Sequence, residues 1–107
     1  MEELTAFYKT RSPFEICEKL NIHIIFADLP KSIDGLFVKT KHNEEMILIN
    51  NNIKTAKIKR TCAHELGHAI LHKNVNILQL GENSELTKTL DSEAEYFSTL
   101  LLDESSE

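Results

Sequence analysis

Thr61-Cys62-Ala63-His64-Glu65-Leu66-Gly67-His68-Ala69-Ile70-Leu71-His72 is the stretch on which this sequence turns. Ile58, Cys62, Leu66, Ala69 and Ile70 recur near the helical period and predict one long helix from about Ile53 to His72. Asn50-Asn51-Asn52 stands before it as a natural cap. Residues four apart on a helix lie slightly more than one turn apart, so the His64 and His68 imidazoles leave the same face and can share one cation. Neutral imidazole suits zinc. Glu65 follows the first imidazole directly, which sets its carboxylate beside a water rather than on the metal. There it can take the water's proton and hand it to a leaving amine. The expectation is a hydrolytic zinc site with His64 and His68 as ligands and Glu65 as base. Ala63 and Gly67, both small, leave room for a second element to approach.

A catalytic zinc takes three protein ligands and keeps a fourth position open. The candidates for the third are His72, Asp91, Glu93 and Glu95. His72 lies two turns beyond His64, about 12 Å along the axis at ~1.5 Å per residue, too far to share an ion on a continuous helix. It reads as a helix-end histidine favouring the C-terminal dipole. A final helix is predicted from about Ser84 or Thr87 to Leu102, carrying Leu86, Leu90, Ala94, Phe97, Leu100 and Leu101. Asp91, Ala94, Glu95 and Ser98 share one face of it, whereas Glu93 points away. Ala94 would let the two helices close up, so that Asp91 reaches the metal while Glu95 accepts a hydrogen bond from a ligand imidazole. The residues alone leave Asp91, Glu95 and Glu93 open as third ligand, and each also reads as a solvated surface charge.

Upstream, Ser12-Pro13-Phe14-Glu15 has the form of a helix start, with Ser12 capping and Glu15 closing a capping box. Phe14, Ile16, Cys17 and Leu20 extend it from about Pro13 to Leu20. Ile22 to Ala27 reads as a strand stopped by Asp28-Leu29-Pro30, Leu36 to Thr40 as a second, and Met46 to Asn50 as a third. The short link Lys41-His42-Asn43-Glu44 favours an antiparallel hairpin. The expected fold is α+β: a small antiparallel three-stranded sheet packed on the motif helix, with an N-terminal and a C-terminal helix. After Lys73 the pattern fades through Asn74 to Asn83, and the tail Asp103 to Glu107 is polar.

With 107 residues the chain builds one modest core, so residues 1–107 read as a single minimal zincin-like domain. A net charge of -5 with scattered lysines lacks the basic face that meets phosphates, which argues against direct nucleic-acid binding. No apolar run approaches a membrane span, and the acidic start Met-Glu-Glu-Leu-Thr is unlike a secretory signal, so the expected location is the cytoplasm. Cys17 and Cys62 then read as small buried hydrophobes, not as a disulfide or a thiolate metal site.

The segment Thr61 to His72 resembles the core of the ImmA/IrrE family of metallopeptidases. Asp91-Ser92-Glu93-Ala94-Glu95-Tyr96-Phe97-Ser98-Thr99-Leu100-Leu101 is similar to that family's Glu-x-x-Ala-Asn/Asp-x-Phe-Ala-x-x-Leu-Leu pattern, and the strand ending in Asn50 also fits. The resemblance runs from about Asp34 onward. It implies a gluzincin-like fold, zinc on His64 and His68, Glu65 as base and Asp91 at the third-ligand position. It also implies a protein substrate, a helix-turn-helix repressor of a phage, mobile element or stress regulon. No such motif stands in this sequence, so the repressor is expected to be a separate protein. Asp91 replaces the family's Glu and Glu95 its Asn or Asp, a swap of reach between the two positions. The pattern's usual Pro after Leu-Leu is also missing at Leu102-Asp103-Glu104. The alternative these departures suggest is a zinc-binding module that binds such a regulator without cleaving it.

Overall fold

Ser12 adopts an extended backbone, and its hydroxyl accepts the Glu15 amide at 3.4 Å, which starts helix α2 (Pro13–Lys19) with Pro13 in its first turn. The reciprocal half of the expected capping box is replaced. Glu15 instead accepts from the Thr10 hydroxyl, and the Ser12 amide donates to Thr10 Oγ1 at 3.0 Å. Ahead of it lies a short helix that the pattern did not announce, α1 (Glu2–Tyr8), tied to α2 by Lys19 Nζ donating to the Tyr8 carbonyl at 2.7 Å. The structure, a computed structural model, describes residues 2–72 and 84–102. The expected break through Asn74 to Asn83 and the tail Asp103 to Glu107 lie outside the described residues.

Three strands follow, β1 (His23–Ala27), β2 (Gly35–Lys39) and β3 (Glu45–Asn50), in the sheet order β1-β3-β2. The α+β class and the three strands are as expected, and β2 and β3 form the antiparallel hairpin, with Leu36 opposite Leu48 and Phe37 opposite Ile47. The sheet as a whole is mixed rather than antiparallel, because β1 runs parallel to β3 from His23–Met46 to Ala27–Asn50. The physical reason is the connection through residues 28–34. It does not fold back as a tight turn but carries the chain past the place that β3 later fills.

Asn50 holds that connection. Its buried side chain donates to the carbonyls of Leu29, Pro30 and Ile33 at 3.1, 3.2 and 2.9 Å, and its backbone amide donates to Asp34 O at 2.8 Å. Its Oδ1 accepts the Asn52 amide at 3.0 Å. The asparagines expected to cap the motif helix are thus spent on the loop. That helix, α3 (Thr55–Leu71), begins later, with Lys54 at its N-cap and no side-chain cap bond.

α3 lies at the centre, with the sheet and α2 on one side and α4 (Ser84–Leu102) on the other. Ile16, Cys17, Ile47, Ile49, Cys62, Leu66 and Leu101 are fully buried between these layers. Cys17 on α2 and Cys62 on α3 are free, buried thiols, as expected. No helix among the described residues is long and apolar enough to cross a membrane.

Asn50→Leu keeps the volume but strands three loop carbonyls. The expected loss of unfolding free energy is about 2–3 kcal/mol, read from the urea midpoint at unchanged slope. A loss below about 0.5 kcal/mol would show that the loop does not depend on this amide.

Candidate metal centre

The site begins where α3 and α4 touch. A Cβ added at Gly67 would lie 3.1 Å from Ala94 Cα, 3.2 Å from Ala94 O and 3.2 Å from Phe97 Cδ1, so the two helices pack backbone to backbone there. They run antiparallel: Arg60 meets Glu95 and Thr99 toward one end, and His72 meets Glu93 toward the other. In between, His64 Nε2 lies 3.5 Å and His68 Nε2 3.0 Å from the same atom, Asp91 Oδ1. Ligand atoms of His64, His68 and Asp91 all fall within 4.8 Å of one another.

These spacings match a small tetrahedral cation. With bonds of about 2.0–2.1 Å, two ligand atoms on a tetrahedron stand ~3.3 Å apart. The observed 3.0 and 3.5 Å bracket that value. Protonation points the same way. Burial holds the His68 imidazole down at about 4, with His64 nearby acting in the same direction and Asp91 against it. It is therefore neutral at neutral pH, the form that offers a lone pair. The other ring nitrogen of His64, Nδ1, faces Glu95 Oε1 at 3.2 Å. A carboxylate only accepts, so Nδ1 carries the proton and Nε2 is left free to bind. Glu95 itself is fixed by Arg60, whose Nη2 lies 2.6 Å from Oε2 and, with the hydrogen bond from His64, lowers its carboxyl below the usual range.

Glu65 comes from the same turn but faces β2. That strand approaches α3 through Gly35, where a Cβ would fall 2.7 Å from Thr61 Cγ2 and 3.3 Å from Glu65 Cγ. Burial pushes the Glu65 carboxyl up to about 7; His64 and the Phe37 backbone amide oppose the rise and Asp91 adds to it. His64, Glu65, His68, Asp91 and Glu95 all line one open cleft of about 590 Å³. Its other walls are Ser32 to Phe37 and the Ala56–Thr61 side of α3, with the Lys57–Asp34 ion pair, 3.2 Å, at its edge.

His72 stands at the end of α3 as expected, as its C-cap, but it also has side-chain partners: it is 6% exposed, and its Nδ1 lies 3.0 Å from His68 Nδ1. One expectation needs correction. Glu93 does not point away, since its Oε1 lies 2.8 Å from His72 Nε2. A wheel of α4 alone assigns one flank to the partner helix. With Gly67 set on Ala94, however, Asp91 and Glu95 on one flank face the middle of α3, and Glu93 on the other meets its C-terminal end. The four-residue step from His68 to His72 was the available signal, because it repeats the step from His64 to His68.

The sequence model of a peptidase family described as the IrrE N-terminal-like domain matches residues 17–106. The chain belongs to this family. All the residues of the cleft fall within the matched segment. The chain is similar to Metallopeptidase ImmA of Bacillus subtilis (strain 168), with 32% identity over 104 residues, covering 95% of this chain and 60% of that protein. It is also similar to "Uncharacterized immunity region protein 2" of Bacillus phage phi105, 38% identical over 76 residues, or 71% of this chain and 48% of the relative. The chain thus spans about half to three fifths of the length of these relatives.

Gly67→Ala sets two effects against each other. Helix propensity favours Ala by about 1 kcal/mol, whereas overpacking costs about 1–3 kcal/mol. Two of the three nearest atoms are α4 backbone and cannot rotate away, so the second effect prevails. The expected result is a net destabilisation of about 1 kcal/mol by urea unfolding. A gain in stability would mean that the helices part freely.

Proposed function

We propose that this chain is a zinc-dependent endopeptidase that cuts a protein partner in the cytoplasm, the partner being a separate helix-turn-helix repressor of a phage, mobile element or stress regulon. The observation that carries the reading is the convergence of His64, His68 and Asp91, with Asp91 Oδ1 3.5 and 3.0 Å from the two imidazoles, in the cleft that Glu65 also lines. Family membership and the names of the two relatives, a metallopeptidase and a phage immunity-region protein, support it.

His64 Nε2, His68 Nε2 and Asp91 would hold the ion, and Glu95, braced by Arg60, keeps the His64 ring turned toward it. A zinc ion there supplies Lewis-acid polarisation of a carbonyl and brings the pKa of a water down to about 7. Glu65 takes the proton of the attacking water and passes it to the leaving amine. Its burial beside Gly35 and the Phe37 amide keeps that carboxylate in one place for both transfers. The substrate lies extended along β2. Among the described residues this strand pairs with β3 alone, and its outer edge offers backbone partners to a third chain segment. Asp91, one methylene shorter than Glu, reaches the imidazoles because Gly67 and Ala94 bring the helices so close.

The test is cleavage of the repressor encoded beside the gene. Glu65→Gln should retain zinc and cleave at least ~10²-fold more slowly. Asp91→Ala should lose the metal and the activity together. Equal cleavage by native protein and Glu65→Gln would remove the base. Repressor binding with no cleavage at all would instead establish a binding module.

A further inference from the structure

Behind His68, on the side away from Asp91, stand two side chains that the reaction does not use. His68 Nδ1 lies 3.0 Å from His72 Nδ1, and His72 Nε2 lies 2.8 Å from Glu93 Oε1. His68 and His72 are almost wholly buried, and only Glu93, at the outer end, reaches solvent. We propose that His72 and Glu93 form a positioning relay that fixes the tautomer of His68 and thereby aims its Nε2 lone pair into the metal site. The inference rests on the zinc reading of that site.

The hydrogen-bond chemistry of the three groups gives the direction of the relay. A carboxylate has no proton to give, so at 2.8 Å the proton must sit on His72 Nε2. A neutral imidazole carries one N–H, which leaves His72 Nδ1 as an acceptor. With a cation held between His68 Nε2 and Asp91 Oδ1, which stand 3.0 Å apart, the proton between the two rings then belongs to His68 Nδ1, and His68 Nε2 is bare toward the ion. The opposite order would set a bare His72 Nε2 against Glu93, two acceptors in contact with no cation between them, whereas a bare His68 Nε2 shares the ion with Asp91. His64 reaches the same state by a shorter route, with Glu95 accepting its Nδ1 proton directly. The two metal-facing imidazoles are thus each backed by a carboxylate from α4, one directly and one through a third ring. The interposed ring is needed because His68 is enclosed where His64 is partly open, and Glu93 sits on the flank of α4 opposite to Asp91.

Zinc affinity is read by competition with a chromophoric chelator, and ring protonation by side-chain nitrogen resonances of the histidines. Glu93→Ala is the leading variant, because its half-exposed side chain can be cut back without opening the core. It should weaken zinc binding about 10–100-fold, the usual effect of removing such a partner. Glu93→Gln, which keeps an acceptor oxygen, should restore most of the affinity. In the zinc-loaded native protein the proton should reside on His68 Nδ1 and on His72 Nε2, and Glu93→Ala should blur the assignment of His72. His72→Phe, if it folds, should match Glu93→Ala. Native zinc affinity in Glu93→Ala, or a His72 protonated on Nδ1 in the zinc-loaded protein, would overturn the relay and leave the metal site standing. A native protein that takes up no zinc would overturn the metal site, and the relay with it.

Discussion

Two helices meet at Gly67 and Ala94 with no side chain between them, and the separation set there governs the chemistry above it. One methyl group at Gly67 would push against the backbone of α4. At the present distance a carboxylate as short as Asp91 spans to both imidazoles. The same contact brings Glu95 to the outer nitrogen of His64 and Glu93 to His72. A small residue on each helix therefore decides which acids become neighbours of which rings. Gly35 does the equivalent on the other side of α3, letting β2 close against Thr61 and Glu65. The motif helix is gripped between two close approaches, and the cleft lies between them.

The cluster is electrostatically unbalanced in a way that suits a cation. Glu65, Asp91 and Glu95 face the cleft with His64 and His68, and Arg60 balances Glu95 at its edge. Burial disfavours charge on His68 and on Glu65, raising the one carboxyl and lowering the one imidazole. Imidazole nitrogens and a carboxylate oxygen that meet at one point need a proton or a cation between them. A proton bridges one such pair at a time, whereas a cation can serve all three atoms together. Stability is supplied elsewhere, by the apolar core of Ile16, Ile47, Ile49, Leu66 and Leu101 that joins α3 to its neighbours.

Local patterns announced most of the elements. The helix periods of α3 and α4, the proline start of α2 and the polar link of the β2–β3 hairpin are each written within a dozen neighbouring residues, and each forms close to where it was read. Where two demands met on one residue, the reading failed. Asn50 can cap a helix or satisfy a loop, and the three carbonyls of Leu29, Pro30 and Ile33 claim it. β1 can pair on either side of a hairpin and in either direction, and nothing within the strand records which. The parallel pairing to β3 follows from the path of residues 28–34 instead.

The amino-acid sequence by itself determined the α+β class, the family and the shared face of His64 and His68, because these depend on helical period and on spacings within one segment. Only the tertiary structure decided which acids of α4 stand beside those rings, and that His72 and Glu93 join them. The reason is geometric. A helical wheel describes one cylinder, whereas the neighbours of a side chain depend on how two cylinders cross and how closely. That crossing is set by the packing of Gly67 on Ala94, a contact between residues 27 positions apart in the chain.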